Sequence, residues 1–242
     1  RTQAILPVSL YGRPADMPSL SRLAYDNALF LLEDASQAHG ASHSGRMSGA
    51  WGNGGTFSFY ATKNMTCGEG GMVTTSDSAL AERLRLLRQH GSRTRYVHEV
   101  LGYNSRMTDI QAALGIVQLG KLPGFTERRR EIAQRYDREL MVVVPRVPPS
   151  MRVAHAYHQY VIRVPERERF MEALLLRGVQ SAVHYPIPVH RQQPFFARDT
   201  FPVTERLSQE ILSLPVHPGL SDEDVSTVVA AVNEVSAELG YL

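Results

Sequence analysis

The sequence predicts an α/β fold: a mainly parallel sheet flanked by helices, followed by a smaller α+β region. Two patterns predict it. In the first half, short apolar runs alternate with stretches of helical periodicity, the signature of βαβ units. In the second half that alternation is lost, and a helix-breaking Pro123-Gly124 pair stands between the two halves. The domain boundary is therefore placed there. Residues 1–122 read as the remainder of a large domain, and residues 123–242 as an interdomain helix with a small C-terminal domain. A length of 242 residues suffices for one large domain or two modest ones.

The elements are expected in this order. Ile5–Leu10 reads as a buried strand, opening almost at once, which suggests that further chain belongs upstream. A turn at Gly12-Arg13-Pro14 leads to a helix over Pro18–Asn27, then a buried strand at Leu29–Leu32 ending at Glu33-Asp34. A glycine-rich loop from Gly45 to Gly55 precedes a strand at Thr56–Phe59, and Gly68–Gly71 precedes another at Met72–Thr75. Ser76 or Asp77 can cap a helix with Leu80, Leu84 and Leu87 on one face. A helix over Thr108–Leu122 has Ile110, Ala113, Leu114, Val117 and Leu119 as its apolar positions, and a charged helix follows over Phe125–Leu140. Beyond it come a strand at Tyr157–Val164, a helix at Glu166–Leu176, a short strand at Gln180–His184 and a proline-rich turn. Helices near Thr204–Ile211 and Ser221–Leu239 close the chain.

Composition narrows the functional classes. A formal net charge of +2 argues for neither nucleic acid nor a membrane surface as partner. Arg128-Arg129-Arg130, flanked by Glu127 and Glu131, reads as a solvated helix face. A single cysteine, Cys67, permits no internal disulfide and fits a reducing cytoplasm. No apolar run approaches the roughly 20 residues of a membrane span, no signal peptide opens the chain, and no metal-ligand cluster is evident.

Three features lie at or just past the ends of the expected parallel strands, where open α/β sheets bind ligands: Asp34 with Gln37, Ser58, and Lys63. A lysine just past a buried strand is partly desolvated, which makes its neutral amine available for attack on an aldehyde. Taken alone, a surface lysine is the commoner reading. A carboxylate closing an apolar strand needs a partner, either a cationic ring nitrogen or the amides of the next turn, and the turn is the commoner of those two. Ser58 with nearby amides can hold a phosphate, or can be an ordinary strand serine.

The blocks Leu32–Ala41 (LEDASQAHGA), Phe57–Asn64 (FSFYATKN) and Gly68–Val73 (GEGGMV), with His90-Gly91, Gly102–Met107 (GYNSRM), Gln111–Ala113 and His184–Pro188 (HYPIP), strongly resemble the DegT/DnrJ/StrS sugar aminotransferases. The resemblance spans nearly the whole chain. It implies a pyridoxal-phosphate-dependent transferase of fold type I, with pyridoxal 5'-phosphate as cofactor and pyridoxamine 5'-phosphate as its intermediate form. It implies that Lys63 carries the cofactor and shuttles the proton, that Asp34 partners the pyridine nitrogen, that Gln37 packs near the ring and its phenolic oxygen, and that Ser58 binds the phosphate. By the same resemblance Asn104 reaches the phosphate of the neighbouring subunit's cofactor across a two-fold homodimer, and His184 and Tyr185 line the sugar site. The substrates implied are an amino-acid donor, glutamate, and a nucleotide-linked keto-sugar.

Related dehydratases carry histidine at the Lys63 position, so lysine favours transamination. Two departures are small: Gly52-Asn53 stands where Gly-Asp is usual, and Tyr60-Ala61-Thr62-Lys63 where Tyr-Pro-Thr-Lys is. A larger one is that family members usually carry on the order of a hundred residues before the Val8–Gly12 position, a domain-sized length. Those residues hold part of the sheet and part of the phosphate site. The sequence thus leaves open a catalytically impaired remnant of the fold, or a pyridoxal enzyme of the dehydratase type.

Overall fold

A computed structural model of the chain describes residues 1–142, 152–195 and 199–241. It comprises two compact units: Arg1–Glu127 with Pro148–His158, and Arg128–Val147 with Gln159–Leu242.

The first unit is built on a four-stranded sheet. Its strands, in chain order, are β1 (Ala4–Ile5), β2 (Phe30–Asp34), β5 (Gly54–Ser58) and β6 (Gly71–Thr74), adjacent in the order β1-β2-β5-β6. The first two pairings are parallel and β5–β6 is antiparallel. The mainly parallel sheet expected from the sequence is therefore present. Between β2 and β5 lies a hairpin of β3 (Ser42–His43) and β4 (Arg46–Met47), and β3 also pairs with β9 (Val153–Ala154). Helix α1 (Met17–Asp26) starts where Asp16 accepts from the Ser19 amide with proline in the first turn. Met17 and Ala24 of α1 pack with Leu31 of β2 and Trp51, and a fully buried side chain of that size contributes roughly 1.5–3 kcal/mol. Helix α2 (Ser78–Arg88) is capped by Asp77, whose carboxylate accepts from Ala79 and Leu80, and a short hairpin of β7 (Ser92–Thr94) and β8 (Val97–His98) follows it.

Two expectations are corrected in this stretch. The first strand is short: β1 ends at Ile5, Val8 makes only a single bridge to Asp34, and Leu10–Gly12 is a 3-10 turn. Pro7, which has no N–H to donate, stands at the interruption. Pro123-Gly124 does not break the helix: α3 runs over Asp109–Glu139 with the proline inside. A proline removes only one backbone donor from a helix this long, and the turns on either side of it remain hydrogen-bonded as helix. Of the apolar positions on α3, Ile110, Leu114, Val117 and Leu119 are all exposed in the single chain.

The second unit holds an antiparallel pair, β10 (Tyr160–Arg163) with β11 (Ile211–Leu214), and two helices packed on one another, α4 (Arg167–Leu176) and α6 (Asp222–Glu238). Helix α5 (Pro202–Glu210) leads directly into β11, a strand for which the sequence gives no expectation and whose first residue, Ile211, falls at the end of the expected helix. The strand expected at Gln180–His184 reduces to one bridge, Ala182 to Ser213. Ser221 and Asp224 close a capping box at the start of α6. The arginine run is not a solvated face throughout. Arg129 is buried, with its Nη1 donating to the Val216 carbonyl, and burial pushes its pKa down to about 10. A run of three helical residues sweeps most of a turn, so one member must face inward.

Candidate active site

Asp34 ends β2 and is held from both sides by backbone. Its N–H donates to Pro7 and its carbonyl accepts from Ser9, while the next amide, Ala35, donates to Thr56 of β5. One side-chain oxygen, Oδ1, accepts from Ser36 at 3.0 Å, the turn-capping role weighed above. The carboxylate is also close enough to Lys63 for its charge to act on the amine.

Lys63 occupies a loop that leaves β5 and returns on itself. Cys67 donates its amide to the Phe59 carbonyl, Thr66 donates its hydroxyl to the same oxygen, and Lys63 N–H donates to Tyr60. Phe59, Met65 and Cys67 fill the loop, with Phe57, Met107 and Leu122 against them. The half-buried amine has its pKa lowered from 10.5: desolvation lowers it, the Asp34 carboxylate raises it, and desolvation wins. The Asp34 carboxylate and the Lys63 amine therefore act on one another electrostatically. Lysine occurs in this chain only at 63 and 121.

Gln37 is buried, and its Oε1 accepts from the Tyr11 amide at 2.7 Å. The unusual backbone at Tyr11 (φ 61°) and Gly12 (φ 94°) makes that bond possible. A Cβ on Gly12 would stand 2.7 Å from the His158 nitrogen, so only glycine lets the 156–158 segment approach. Ser58, half-buried at the end of β5, has its hydroxyl within 3.3 Å of the Tyr60 amide.

Three residues that sequence reasoning passed over support this centre. Asn64, next to Lys63, donates to the Ala156 carbonyl at 2.9 Å and meets His158 at 3.2 Å. Ala156 in turn donates to Gly12. Glu33, fully buried on the other face of β2 from Asp34, takes the Ser9 hydroxyl on one oxygen (2.8 Å) and the Gly49 amide on the other (2.7 Å). His39 is buried between Phe57 and Phe59, with ring centroids 5.2 and 6.0 Å away. Neither ring nitrogen has a hydrogen-bonding partner among the described residues. Burial pushes its pKa down to about 4, and the Lys63 charge adds to this. The Ser58 backbone opposes the shift, but it does not meet the ring in hydrogen-bonding geometry, so burial decides. Adjacency to the motif residues was the only signal available for any of the three.

Asn104 is exposed, bridged to Gln89 at the end of α2, with Arg106 donating to its Oδ1. His184 and Tyr185 belong to the second unit. His184 meets the Ser213 hydroxyl at 3.0 Å, burial lowers its pKa, and Tyr185 is exposed beside it. No group of three or more metal-ligating side chains occurs among the described residues, and no helix among them is long and apolar enough to cross a membrane.

A family model for the DegT/DnrJ/EryC1/StrS aminotransferases matches residues 1–233. The chain belongs to that family. EryC1 of Saccharopolyspora erythraea, described as an erythromycin biosynthesis sensory transduction protein, is 44% identical over 241 residues, covering 96% of this chain and 65% of its own. The dTDP-3-amino-3,4,6-trideoxy-alpha-D-glucose transaminase of Streptomyces venezuelae is 40% identical over 244 residues, covering 97% and 64%. A crystal structure of S. venezuelae DesV in complex with a ketimine intermediate superposes with a TM-score of 0.93 at 40% identity, covering 97% of this chain and 65% of that one. The chain therefore spans about two thirds of the length of the relatives it matches, and its fold is that of the family's sugar aminotransferases.

The residues present fit the family's cofactor. An amine kept below its ordinary pKa by burial suits attachment to an aldehyde, and a carboxylate acting on the same space suits a protonated ring nitrogen.

Proposed function

We propose that this chain holds pyridoxal 5'-phosphate on Lys63 and moves an amino group from an amino acid, glutamate, to a nucleotide-linked keto-sugar. The observation that supports this reading is electrostatic: the Lys63 amine is partly desolvated and feels the charge of the Asp34 carboxylate. The bound cofactor supplies an aldehyde and a ring that delocalises charge from the carbon losing its proton. Lys63 would be the amine that holds the aldehyde group and, when free, the general base and acid that takes and returns the donor's α-proton. Asp34 holds a proton on the ring nitrogen. Gln37, with its amide fixed by Tyr11, donates toward the ring's phenolic oxygen, and Ser58 donates to the phosphate. Asn104 serves the phosphate of the partner subunit's cofactor, and His184 with Tyr185 lines the sugar site.

A homodimer is part of this reading. The exposed apolar positions of α3 and the fully exposed Leu101, near Asn104 in the chain, support an association that covers them. Some relatives bear regulatory names, and a non-catalytic role is the second reading. Retention of both Lys63 and Asp34 in one electrostatic environment favours chemistry over it.

The test is incubation with pyridoxal phosphate and glutamate. Release of 2-oxoglutarate by the native protein, and its loss in Lys63→Ala, is expected. A Lys63→Ala variant that still transaminates removes the lysine from this role, and a native protein that consumes a keto-sugar without releasing 2-oxoglutarate favours the dehydratase type.

A further inference from the structure

Asn104 stands on a tightly built platform. Tyr103 donates its amide to the Leu87 carbonyl at 2.7 Å, Ser105 donates to Arg88 at 3.1 Å, and His90 donates to Tyr103 at 2.9 Å, so both neighbours of Asn104 are strapped to the end of α2. Gly91 and Gly102 permit this closeness: a Cβ on Gly102 would stand 2.0 Å from the Gly91 nitrogen. The backbone of Asn104 is thus fixed, but a fixed backbone leaves an exposed amide free to rotate and present either its oxygen or its NH2 group.

Arg106 removes that freedom. Its Nε donates to Asn104 Oδ1 at 3.0 Å, and its Nη2 lies 3.4 Å from His90 Nε2, so two edges of one planar group are engaged. An arginine can only donate. The amide atom facing it must therefore be oxygen, and the NH2 group must point the other way.

We propose that Arg106 is a positioning residue that turns the Asn104 amide so that the loop presents donors, and no acceptor, to a phosphate. The proposal rests on the reading of Asn104 as a cofactor-phosphate ligand. A correctly turned amide donates a hydrogen bond to an anion, whereas a flipped one places a carbonyl oxygen against the phosphate's negative charge. Arg106 also adds positive charge to the same surface, and the experiment separates that contribution from orientation.

The experiment measures binding of pyridoxal phosphate, and of pyridoxal without its phosphate, by absorbance titration of the assembled protein. The variants are Asn104→Ala, Arg106→Ala, Arg106→Lys and the Asn104→Ala/Arg106→Ala double substitution. One charge-assisted hydrogen bond corresponds to about a tenfold or greater loss of affinity. Each alanine variant is expected to bind pyridoxal phosphate about tenfold more weakly, the double variant no more weakly than Asn104→Ala, and pyridoxal binding to be unchanged in all. Arg106→Lys, which keeps the charge but not the two-edged geometry, should fall between native and Arg106→Ala, and it carries the comparison should Arg106→Ala fail to fold. Losses that multiply in the double variant, or a Lys variant equal to native, overturn positioning while leaving Asn104 as a ligand. An unchanged Asn104→Ala overturns both the ligand reading and the inference built on it.

Discussion

The His39 imidazole should make the stability of this protein fall steeply in mild acid. The ring is 3% exposed, packed between two phenylalanines, and its pKa falls from 6.5 to about 4, chiefly through burial. The folded state therefore keeps His39 neutral down to about pH 4, whereas the unfolded chain takes up a proton below about 6.5. Between those values the unfolded state binds more protons, so stability is fully present above pH 6.5 and is lost as pH falls toward 4. At roughly 1.4 kcal/mol per pH unit the full loss is about 3 kcal/mol, most of it reached by pH 4.5. That is a large fraction of an ordinary domain's stability of about 5–15 kcal/mol. The assay is urea unfolding of native protein and His39→Leu at intervals from pH 7.5 to 4.5. The native protein is expected to lose about 2.5 kcal/mol relative to the variant over that range, because leucine has no proton to gain. A difference between the two that stays constant with pH would refute the reasoning and imply that the folded ring takes up its proton over the same pH range as the unfolded chain.

Other outcomes follow from the same geometry. Glu33→Gln can keep an oxygen on the Gly49 amide only by turning its NH2 group to the Ser9 hydroxyl, which must then accept instead of donate, and should lower stability by about 1 kcal/mol in denaturant titration. Gly91→Ala directs a Cβ to 1.8 Å from the Val100 carbonyl at φ 71°, and a thermal melt should show a loss of about 2 kcal/mol or more. Asp34→Asn removes the charge that raises the Lys63 pKa. The cofactor-free amine should then react with an amine-selective reagent at lower pH than in the native protein, and an unchanged profile would show that the carboxylate does not act on Lys63.

Much of the site was legible in the sequence because its signals are local. Lys63, Ser58 and Asp34 stand at strand ends, and Asp77 announces α2 by its cap. What was not legible depends on segments far apart in the chain. Asn64 reaches Ala156, ninety-two positions away, and nothing near either residue shows it. Helical periodicity on α3 identified the apolar positions but could not say what covers them, and in the single chain they are exposed. Pro123-Gly124 was read by its intrinsic preference, which the surrounding helix overrides. The strand Ile211–Leu214 goes unannounced, with only Ile211 touched by the expected helix, because its partner strand, β10, lies some fifty residues earlier. The charge run at Arg128–Arg130 was read by composition, whereas helical geometry turns Arg129 inward to Val216.

The central claim, that Lys63 is the amine that holds the cofactor, has a direct test favoured by the chain's having lysine only at 63 and 121. The protein is mixed with pyridoxal phosphate, reduced with borohydride, and its peptides are mapped by mass. The account predicts the reduced cofactor on the peptide containing Lys63 and none on Lys121. A label on Lys121 alone, or no label on either lysine, would contradict it.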